Sequence, residues 1–185
     1  MVILDATVDA LQRDGYAGIS VRQIARKAEV SQGALQYHFP TKAALVEAAL
    51  WQLAVRLLEQ AQDRFVDLPE GQPQRAEEVL DALWEIHNSP IAHVIAELFL
   101  AARTDPDLRE TMSTGVDTAH AMTIATVGQA LPELAARPDF PEWVLSCVAT
   151  MRGLVAVGAL TLAPASVVSW PQARTLMLRT IYLPG

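Results

Sequence analysis

The chain has 185 residues, of which 51% are hydrophobic and 19% are charged, and its formal net charge is −7. This apolar content supplies a sizeable core and excludes a disordered chain, while the length allows one large domain or a small domain joined to a medium one. The single cysteine, Cys147, cannot form an internal disulfide, which fits a reducing cytoplasm. Asp5 and Asp9 interrupt the apolar run that a signal peptide needs, and the longest apolar stretch, residues 153–163, is shorter than the roughly 20 residues that span a bilayer. We therefore expect a cytoplasmic protein that has no membrane partner.

The negative charge is unevenly distributed along the chain. Residues 1–47 contain five basic and five acidic side chains, so the whole net charge of −7 belongs to residues 48–185. Between Val21 and Lys42 there are four basic side chains and one acidic one. An N-terminal segment that is neutral overall but locally basic, followed by an acidic remainder of the chain, is compatible with a nucleic-acid contact confined to one end. A solvated helix face gives the same charge pattern.

The first 28 residues predict two helices. Apolar side chains at Ile3, Leu4, Val8 and Leu11 follow a helical period, and Gly15 is placed to end that helix. The segment Ser20–Gln23 has the sequence of a capping box, in which a serine oxygen and a glutamine side chain satisfy amides at the start of a helix. The second helix is short and is expected to end near Lys27 or Ala28.

A third short helix and a long fourth one are predicted next. Ser31 is placed to cap the third helix, and Pro40 ends it because the residue before a proline is driven out of the α region. Thr41 then caps a helix that is expected to reach about Phe65. A loop over Asp67–Gln74 follows.

The rest of the chain also has helical periodicity and no strand pattern. Helices are predicted over residues 75–88, 91–102, 104–136, 143–162 and 170–182, and segments that contain proline separate several of them. The predicted fold class is therefore all-α, with about nine helices. It has an N-terminal three-helix domain containing a helix-turn-helix and a C-terminal helical domain.

Two short helices joined by a tight turn, the second beginning at Ser31, predict a helix-turn-helix. Ala25 is small where the two helices must cross, Val30 fills the turn, and Leu35 packs the second helix onto the first. Such a pair can present its second helix to the major groove of DNA, which is wide enough to admit one helix.

The outward face of this second helix has the composition of a DNA-reading surface. Gly33 and Ala34 are short enough to let the helix approach the bases, and Ala34 can contact a thymine methyl. Gln32 or Gln36 can form paired hydrogen bonds with adenine, whereas Ser20, Ser31, Tyr37, His38 and Lys42 suit phosphates. The full set of predicted DNA-binding residues is Ser20, Arg22, Ser31, Gln32, Gly33, Ala34, Gln36, Tyr37, His38 and Lys42.

The segment "GISVRQIARKAEVSQGALQYHFPTKAALVEAAL" (residues 18–50) resembles the DNA-binding segment of the tetracycline-repressor (TetR) family of transcriptional regulators. The resemblance covers about residues 3–50 and rests on many positions at fixed spacing: Ser20, Ile24, Ala25, Val30, Ser31, Leu35, His38, Phe39, Thr41 and Lys42. Two positions depart from the family pattern. Glu29 lies where the turn glycine is usual, and Gln36 lies where a phosphate-contacting tyrosine is usual.

The resemblance implies a DNA-binding domain over residues 1–46 and a ligand-binding and dimerisation domain over residues 47–185. It also implies that the last two long helices form a homodimer interface. The sequence supports that implication, because Gly153, Ala156, Val157 and Leu160 give a helix with little steric bulk. Burial of this helix within one subunit is the alternative interpretation.

The middle helices supply candidates for a pocket that binds an unidentified small-molecule effector. Aromatic, methionine and polar side chains together suit an apolar pocket with a few orienting groups, although each of them can equally belong to the core. These candidates are Trp84, His87, His93, Glu97, Phe99, Met112, Val116, His120 and Trp143. His93 and Glu97 lie four residues apart on one helix face, but two such groups do not make a metal site, and we expect neither a metal nor another cofactor.

The resulting hypothesis is a dimeric, ligand-responsive repressor that binds a palindromic operator in double-stranded DNA and is released by a small molecule. No nucleophile elbow, phosphate-binding glycine loop or catalytic triad is present, so we do not expect an enzyme. Two alternatives remain. One is a helical small-molecule binding protein or enzyme with a vestigial DNA-binding fold, and the other is an activator that needs no ligand.

Overall fold

A computed structural model describes residues 2–66, 68, 73–158 and 168–182, except for the side chains at positions 64 and 66. Within these residues the chain forms ten α-helices and no strand. The helices are α1 (Val2–Gly18), α2 (Val21–Lys27), α3 (Gln32–His38), α4 (Lys42–Val66), α5 (Gln74–His87), α6 (Pro90–Ala101), α7 (Pro106–Ala130), α8 (Pro132–Ala135), α9 (Phe140–Gly158) and α10 (Trp170–Tyr182). The prediction of an all-α fold is confirmed.

The prediction of one continuous helix over residues 104–136 is wrong, because this segment forms two helices, α7 and α8. Leu131, which lies between α7 and α8, has φ −126° and ψ 61° and is therefore not helical. Pro132 explains the break, since a proline disfavours the α conformation of the preceding residue and has no amide hydrogen to donate. Helix α9 begins at Phe140 rather than at the predicted Trp143. Its predicted end at Leu162 lies outside the described residues.

The described residues form two compact units. Unit 1 contains the chain up to Arg56 together with His93–Ala119, and unit 2 contains Leu57–Ala92 together with the chain from His120 onward. Helices α4, α6 and α7 each contribute residues to both units. The predicted domain boundary between residues 46 and 47 remains a prediction.

Unit 1 contains the helix-turn-helix, and local capping defines its helices. The side-chain oxygens of Ser20, Ser31 and Thr41 accept hydrogen bonds from the amides of Gln23, Ala34 and Ala44 at 3.3, 3.1 and 3.0 Å. The core of the unit includes Leu11, Ile24, Leu35, Leu45 and Val46, which are fully buried. The burial of Leu35 and the contact between α2 and α3 agree with the predicted packing of Leu35 onto the preceding helix.

Unit 2 contains a larger apolar core in which α5, α8, α9 and α10 pack together. Leu80 and Leu83 of α5, Met151 of α9 and Ile181 of α10 are almost completely buried in it. Helix α9 is long and apolar enough to cross a membrane by length and composition. Its residues Trp143, Cys147 and Met151 are buried in this core. A helix in the core of a soluble protein can have the same length and apolar composition.

The turn between α2 and α3 has a glutamate in a conformation that favours glycine. Glu29 has φ 56°, and it is the position at which the family pattern has glycine. The amide of Glu29 donates to the Arg26 carbonyl at 3.3 Å, and the amide of Val30 donates to the Ala25 carbonyl at 3.0 Å. These two bonds form a Schellman motif, which ends a helix by placing one residue in the left-handed region. Such a conformation costs a non-glycine residue about 1–2 kcal/mol.

We therefore expect Glu29→Gly to raise the free energy of unfolding by about 1 kcal/mol, because the relief of strain exceeds the extra entropy of glycine in the unfolded chain. Urea unfolding followed by circular dichroism measures this change. The control is Glu78→Gly at an exposed position within α5, which should lower the free energy of unfolding by about 1 kcal/mol. A Glu29→Gly variant that is no more stable than the parent chain would contradict the expectation.

Candidate nucleic-acid interface

Helix α3 exposes almost all of its side chains. Leu35 is the buried residue that anchors it, and Tyr37 is 83% exposed. Nine of the ten predicted DNA-binding residues are exposed, namely Ser20, Arg22, Ser31, Gln32, Gly33, Ala34, Gln36, Tyr37 and His38. Lys42 is half-buried. The fold therefore brings the predicted residues to the surface on neighbouring elements.

The capping serines are already engaged within their own helices. The Ser20 hydroxyl accepts from the Gln23 amide and also donates to the Gln23 side-chain oxygen at 2.9 Å. The predicted capping box is thus modified, since Gln23 reaches the Ser20 hydroxyl rather than the Ser20 amide. A phosphate contact from Ser20 would require its hydroxyl to leave Gln23, whereas helix-terminal amides near Ser31 can approach an anion directly.

The side chain of Lys42 is held over an aromatic ring. Its Nζ lies 4.3 Å from the centroid of the Tyr16 ring, at a distance that gives a cation–π interaction. Burial lowers the pKa of Lys42, and the carboxylate of Glu97 acts in the opposite direction. Tyr16 therefore orients a lysine that was predicted to contact phosphate.

Tyr16 belongs to a turn that Glu97 holds in place. Gly15 has φ 66° and ψ 176°, which interrupts the helical geometry of α1, as the sequence predicted for this glycine. Beyond it, the amides of Tyr16 and Ala17 donate to Glu97 Oε1 at 2.9 and 3.4 Å. Glu97 was predicted to line a ligand pocket, and the structure places its carboxylate against this turn.

The other pocket candidates in unit 1 have varied surroundings. His93 is exposed, Phe99 and Val116 are half-buried, and Met112 is buried. The described part of the chain contains no group of three or more His, Cys, Asp or Glu side chains that could hold a metal ion.

In unit 2 the structure brings two of the predicted residues together with one that was not predicted. Arg152 Nη1 lies 3.1 Å from His120 Nε2, and both interact electrostatically with His87. Burial, together with Arg152 and His120, lowers the pKa of His87 to about 4. Arg152 was missed because a single arginine in an apolar helix has no local sequence signal for its partner.

The two candidate tryptophans of unit 2 have structural partners. Trp143 is buried, and its Nε1 donates to the Met177 carbonyl at 3.0 Å. Trp84 stacks on Trp170 with 4.7 Å between ring centroids, and Trp170 Nε1 donates to Asp81 at 2.6 Å. These contacts bind α5, α9 and α10 to one another.

The predicted dimer residues that the structure describes lie on an exposed face of α9. Gly153, Ala156 and Val157 are exposed, and Val157 has 49% of its surface accessible. The fourth predicted residue, Leu160, lies outside the described residues. Leu176 of α10, which packs against α9, is 55% exposed and adds apolar surface.

Comparison with known proteins identifies the relatives of this chain. The sequence model of the family described as "Bacterial regulatory proteins, tetR family" matches residues 3–49. The uncharacterized HTH-type transcriptional regulator Rv2912c of Mycobacterium tuberculosis is 31% identical over 157 residues, which are 85% of this chain and 78% of that protein. The chain belongs to the TetR family of bacterial transcriptional regulators. The family is one of non-enzymatic regulators that contain a DNA-binding helix-turn-helix.

Two further proteins are similar to this chain. The HTH-type transcriptional regulator CymR of Pseudomonas putida is 31% identical over 108 residues, which are 58% of this chain and 53% of that protein. The crystal structure of the multidrug binding protein EbrR in complex with imidazole superposes with a TM-score of 0.68. It is 28% identical and covers 100% of this chain and 95% of that one. As a TetR-family member, the chain keeps the family's helix-turn-helix but has Glu29 and Gln36 at two positions of it.

The turn at Gly15 should not tolerate a side chain. Its φ and ψ lie in a region that only glycine adopts readily, and a Cβ there would lie 2.8 Å from Glu97 Oε2. We expect Gly15→Ala to lower the free energy of unfolding by about 2 kcal/mol. Gly33→Ala is the control, because a Cβ at Gly33 meets nothing within 4 Å, and it should not lower stability. Equal effects of the two substitutions in thermal unfolding would contradict this interpretation of the turn.

His87 should make the stability of the chain depend on pH. Its pKa is about 4 in the folded protein against an ordinary value of 6.5, so the unfolded chain binds the proton more tightly. This stabilisation is present above pH 6.5 and is lost as the pH falls toward 4, and it amounts to roughly 3 kcal/mol at most. His87→Gln should remove this part of the pH dependence of unfolding between pH 7.5 and 4, whereas His93→Gln, at an exposed position, should retain it. Identical pH profiles for the parent and His87→Gln would overturn the expectation.

Proposed function

We propose that this TetR-family regulator is a homodimeric repressor that binds a palindromic operator and is released when a small molecule binds its C-terminal domain. The observation that carries the DNA-binding part is the exposed face of α3, in which short and polar side chains surround one buried anchor, Leu35. In this proposal residues 1–46 form the DNA-binding domain and residues 47–185 bind ligand and dimerise. The protein acts on DNA in the cytoplasm.

Base contacts and phosphate contacts divide between two parts of the surface. Gln32, Ala34 and Gln36 are exposed on α3 and provide hydrogen-bonding and methyl contacts to base edges. Tyr37 and His38 lie at the end of the same helix, with ring centroids 5.3 Å apart, and Lys42 begins the next helix. These three side chains suit phosphates, which fix the register of the helix in the groove.

The exposed small residues of α9 support dimerisation. Gly153 and Ala156 permit close approach of a second helix, and Val157 with Leu176 supplies apolar area that a partner would bury. A two-fold dimer places its recognition helices about 34–36 Å apart, which is one turn of DNA and requires a palindromic site. Release by a small molecule requires that the ligand bind the two dimer arrangements with different affinity. The multidrug binding protein EbrR, whose structure contains imidazole, supports a ligand-binding role for this fold.

Operator binding by purified dimer tests this proposal, with the DNA upstream of the chain's own gene as the first probe. Gln36→Ala should relax sequence preference by about 1–3 kcal/mol at one base pair. Lys42→Ala should weaken binding to all sequences and reduce the slope of log K against log salt by about one per subunit. Gel shifts at several salt concentrations measure both effects.

Two exposed residues provide matched controls for these variants. Gln12→Ala on α1 and Arg137→Ala in unit 2 should leave affinity and salt slope unchanged, because neither belongs to the proposed interface. Thermal unfolding verifies that each variant is folded. The proposal fails if the parent chain binds no operator-like DNA at low salt, or if neither Gln36→Ala nor Lys42→Ala changes binding.

A further inference from the structure

The turn near the end of α1 is built around a carboxylate from another helix. Glu97 of α6 and the turn at residues 15–17 both belong to unit 1. The amides of Tyr16 and Ala17 donate to Glu97 Oε1 at 2.9 and 3.4 Å, so two backbone donors share one charged acceptor. Hydrogen bonds to a charged acceptor are stronger than those between neutral groups, so this contact fixes the backbone of Tyr16 relative to α6.

Gly15 makes room for the Glu97 carboxylate. A Cβ at Gly15 would lie 2.8 Å from Glu97 Oε2, which is closer than a real Cβ atom comes to its neighbours. The φ of 66° at the same residue turns the chain out of the helix, so that the next two amides face the carboxylate. The conformation of Gly15 and its missing side chain therefore both favour the same contact.

Tyr16 connects this contact to the proposed DNA-binding surface. Its amide is held by Glu97, and its half-buried ring lies beneath the Lys42 ammonium, with 4.3 Å between Nζ and the ring centroid. A lysine side chain has a flexible four-carbon stem and loses rotamer entropy when it is held in one place. The cation–π contact orders Lys42 before DNA arrives, which reduces the entropy that binding has to overcome.

We propose that Glu97 is a positioning residue for operator binding, and that it acts through Tyr16 by holding the Lys42 ammonium in place for a DNA phosphate. This inference rests on the proposed function, in which Lys42 contacts phosphate, and it adds a residue of α6 that acts without touching DNA. The alternative is that Glu97 affects DNA binding only through its negative charge, which would repel phosphates. The two mechanisms predict effects of opposite sign when the side chain is shortened.

The operator affinities of two Glu97 variants distinguish these mechanisms. Glu97→Ala removes both the acceptor and the charge, and we expect it to weaken binding by the dimer about tenfold or more, because both copies of Lys42 lose their support. Glu97→Gln removes the charge but retains an oxygen that can accept from the two amides, so it should recover most of this loss. Glu110→Ala, at an exposed position on α7, is the matched control and should bind as the parent does. Tighter binding by both Glu97 variants would support the charge mechanism and overturn the proposal.

A double-mutant cycle separates positioning from a general loss of stability. In a Lys42→Ala background, Glu97→Ala should weaken operator binding by less than about twofold further, because the lysine that Glu97 supports is absent. A merely structural role would weaken binding to the same extent in both backgrounds, and that result would also overturn the proposal. Circular dichroism verifies that each variant is folded.

Substitutions of Tyr16 provide a second measurement if Glu97→Ala does not fold. Tyr16→Leu leaves the backbone amide that Glu97 binds but removes the ring beneath Lys42, so it should weaken operator binding as Glu97→Ala does. Tyr16→Phe retains an aromatic ring and should bind as the parent does. Parent-like binding by Tyr16→Leu would contradict the proposed link.

The position of Lys42 can also be measured without DNA. The chain contains two lysines, Lys27 and Lys42, so protein labelled selectively at lysine gives two sets of side-chain signals in NMR spectra. The Tyr16 ring should shift the Lys42 methylene signals upfield, and Glu97→Ala should move them back toward their ordinary position. The Lys27 signals are the internal control and should not move, because Lys27 Nζ pairs with Asp9 at 2.9 Å.

The outcomes separate this inference from the proposed function. An unchanged Lys42 signal in Glu97→Ala would overturn the inference whether or not the chain binds DNA. Failure of the parent chain to bind operator-like DNA at low salt would overturn the proposed function, while the NMR signals would still report whether Glu97 controls the position of Lys42.

Discussion

The geometry of the DNA-binding end depends on a carboxylate that lies far away in the sequence. At Gly15 the backbone leaves the helical region, so the amides of Tyr16 and Ala17 need acceptors other than carbonyls of α1. Glu97 supplies one oxygen to both of them. Hydrogen bonds to a charged acceptor contribute about 1.5–3 kcal/mol, which is more than a neutral pair contributes. The position of Tyr16, and with it that of the Lys42 ammonium above the ring, therefore depends on a residue of α6.

The turn of the helix-turn-helix shows a different balance between stability and function. The Schellman bonds at Glu29 and Val30 are intact although Glu29 occupies a conformation that favours glycine. A glutamate there retains strain and also adds a negative charge close to the face that we propose contacts phosphate. Both effects act against tight DNA binding or high stability, so this turn is a place where the chain departs from the most stable choice.

The parts of the fold that follow from short-range chemistry were predicted from the sequence. Capping by Ser20, Ser31 and Thr41 depends on residues three positions apart, and the end of α3 depends on Pro40, so a reader of the sequence can find each of them. The break before Pro132 has the same local origin and was overlooked because the apolar period continues through it.

The contacts that sequence reasoning missed all join distant positions. Glu97 meets Tyr16 across 81 residues, and Arg152 meets His120 across 32. No periodicity or spacing connects such pairs, because the same glutamate on a helix face can point to solvent, to a pocket or to a neighbouring backbone. Composition placed Glu97 among the pocket candidates, and only the positive φ of Gly15 explains why two amides are available to it.

The strength of the Glu97 contact also bears on the ligand response that we propose. Coupling free energies between two sites in a regulator are typically about 1–3 kcal/mol, a range that overlaps the about 1.5–3 kcal/mol of a single hydrogen bond to a charged acceptor. A state that keeps the shorter Glu97 bond, to the Tyr16 amide, and a state that loses it would differ by about the free energy that such a coupling requires. Loss of this contact would remove the support of Tyr16 beneath a lysine that we propose binds phosphate.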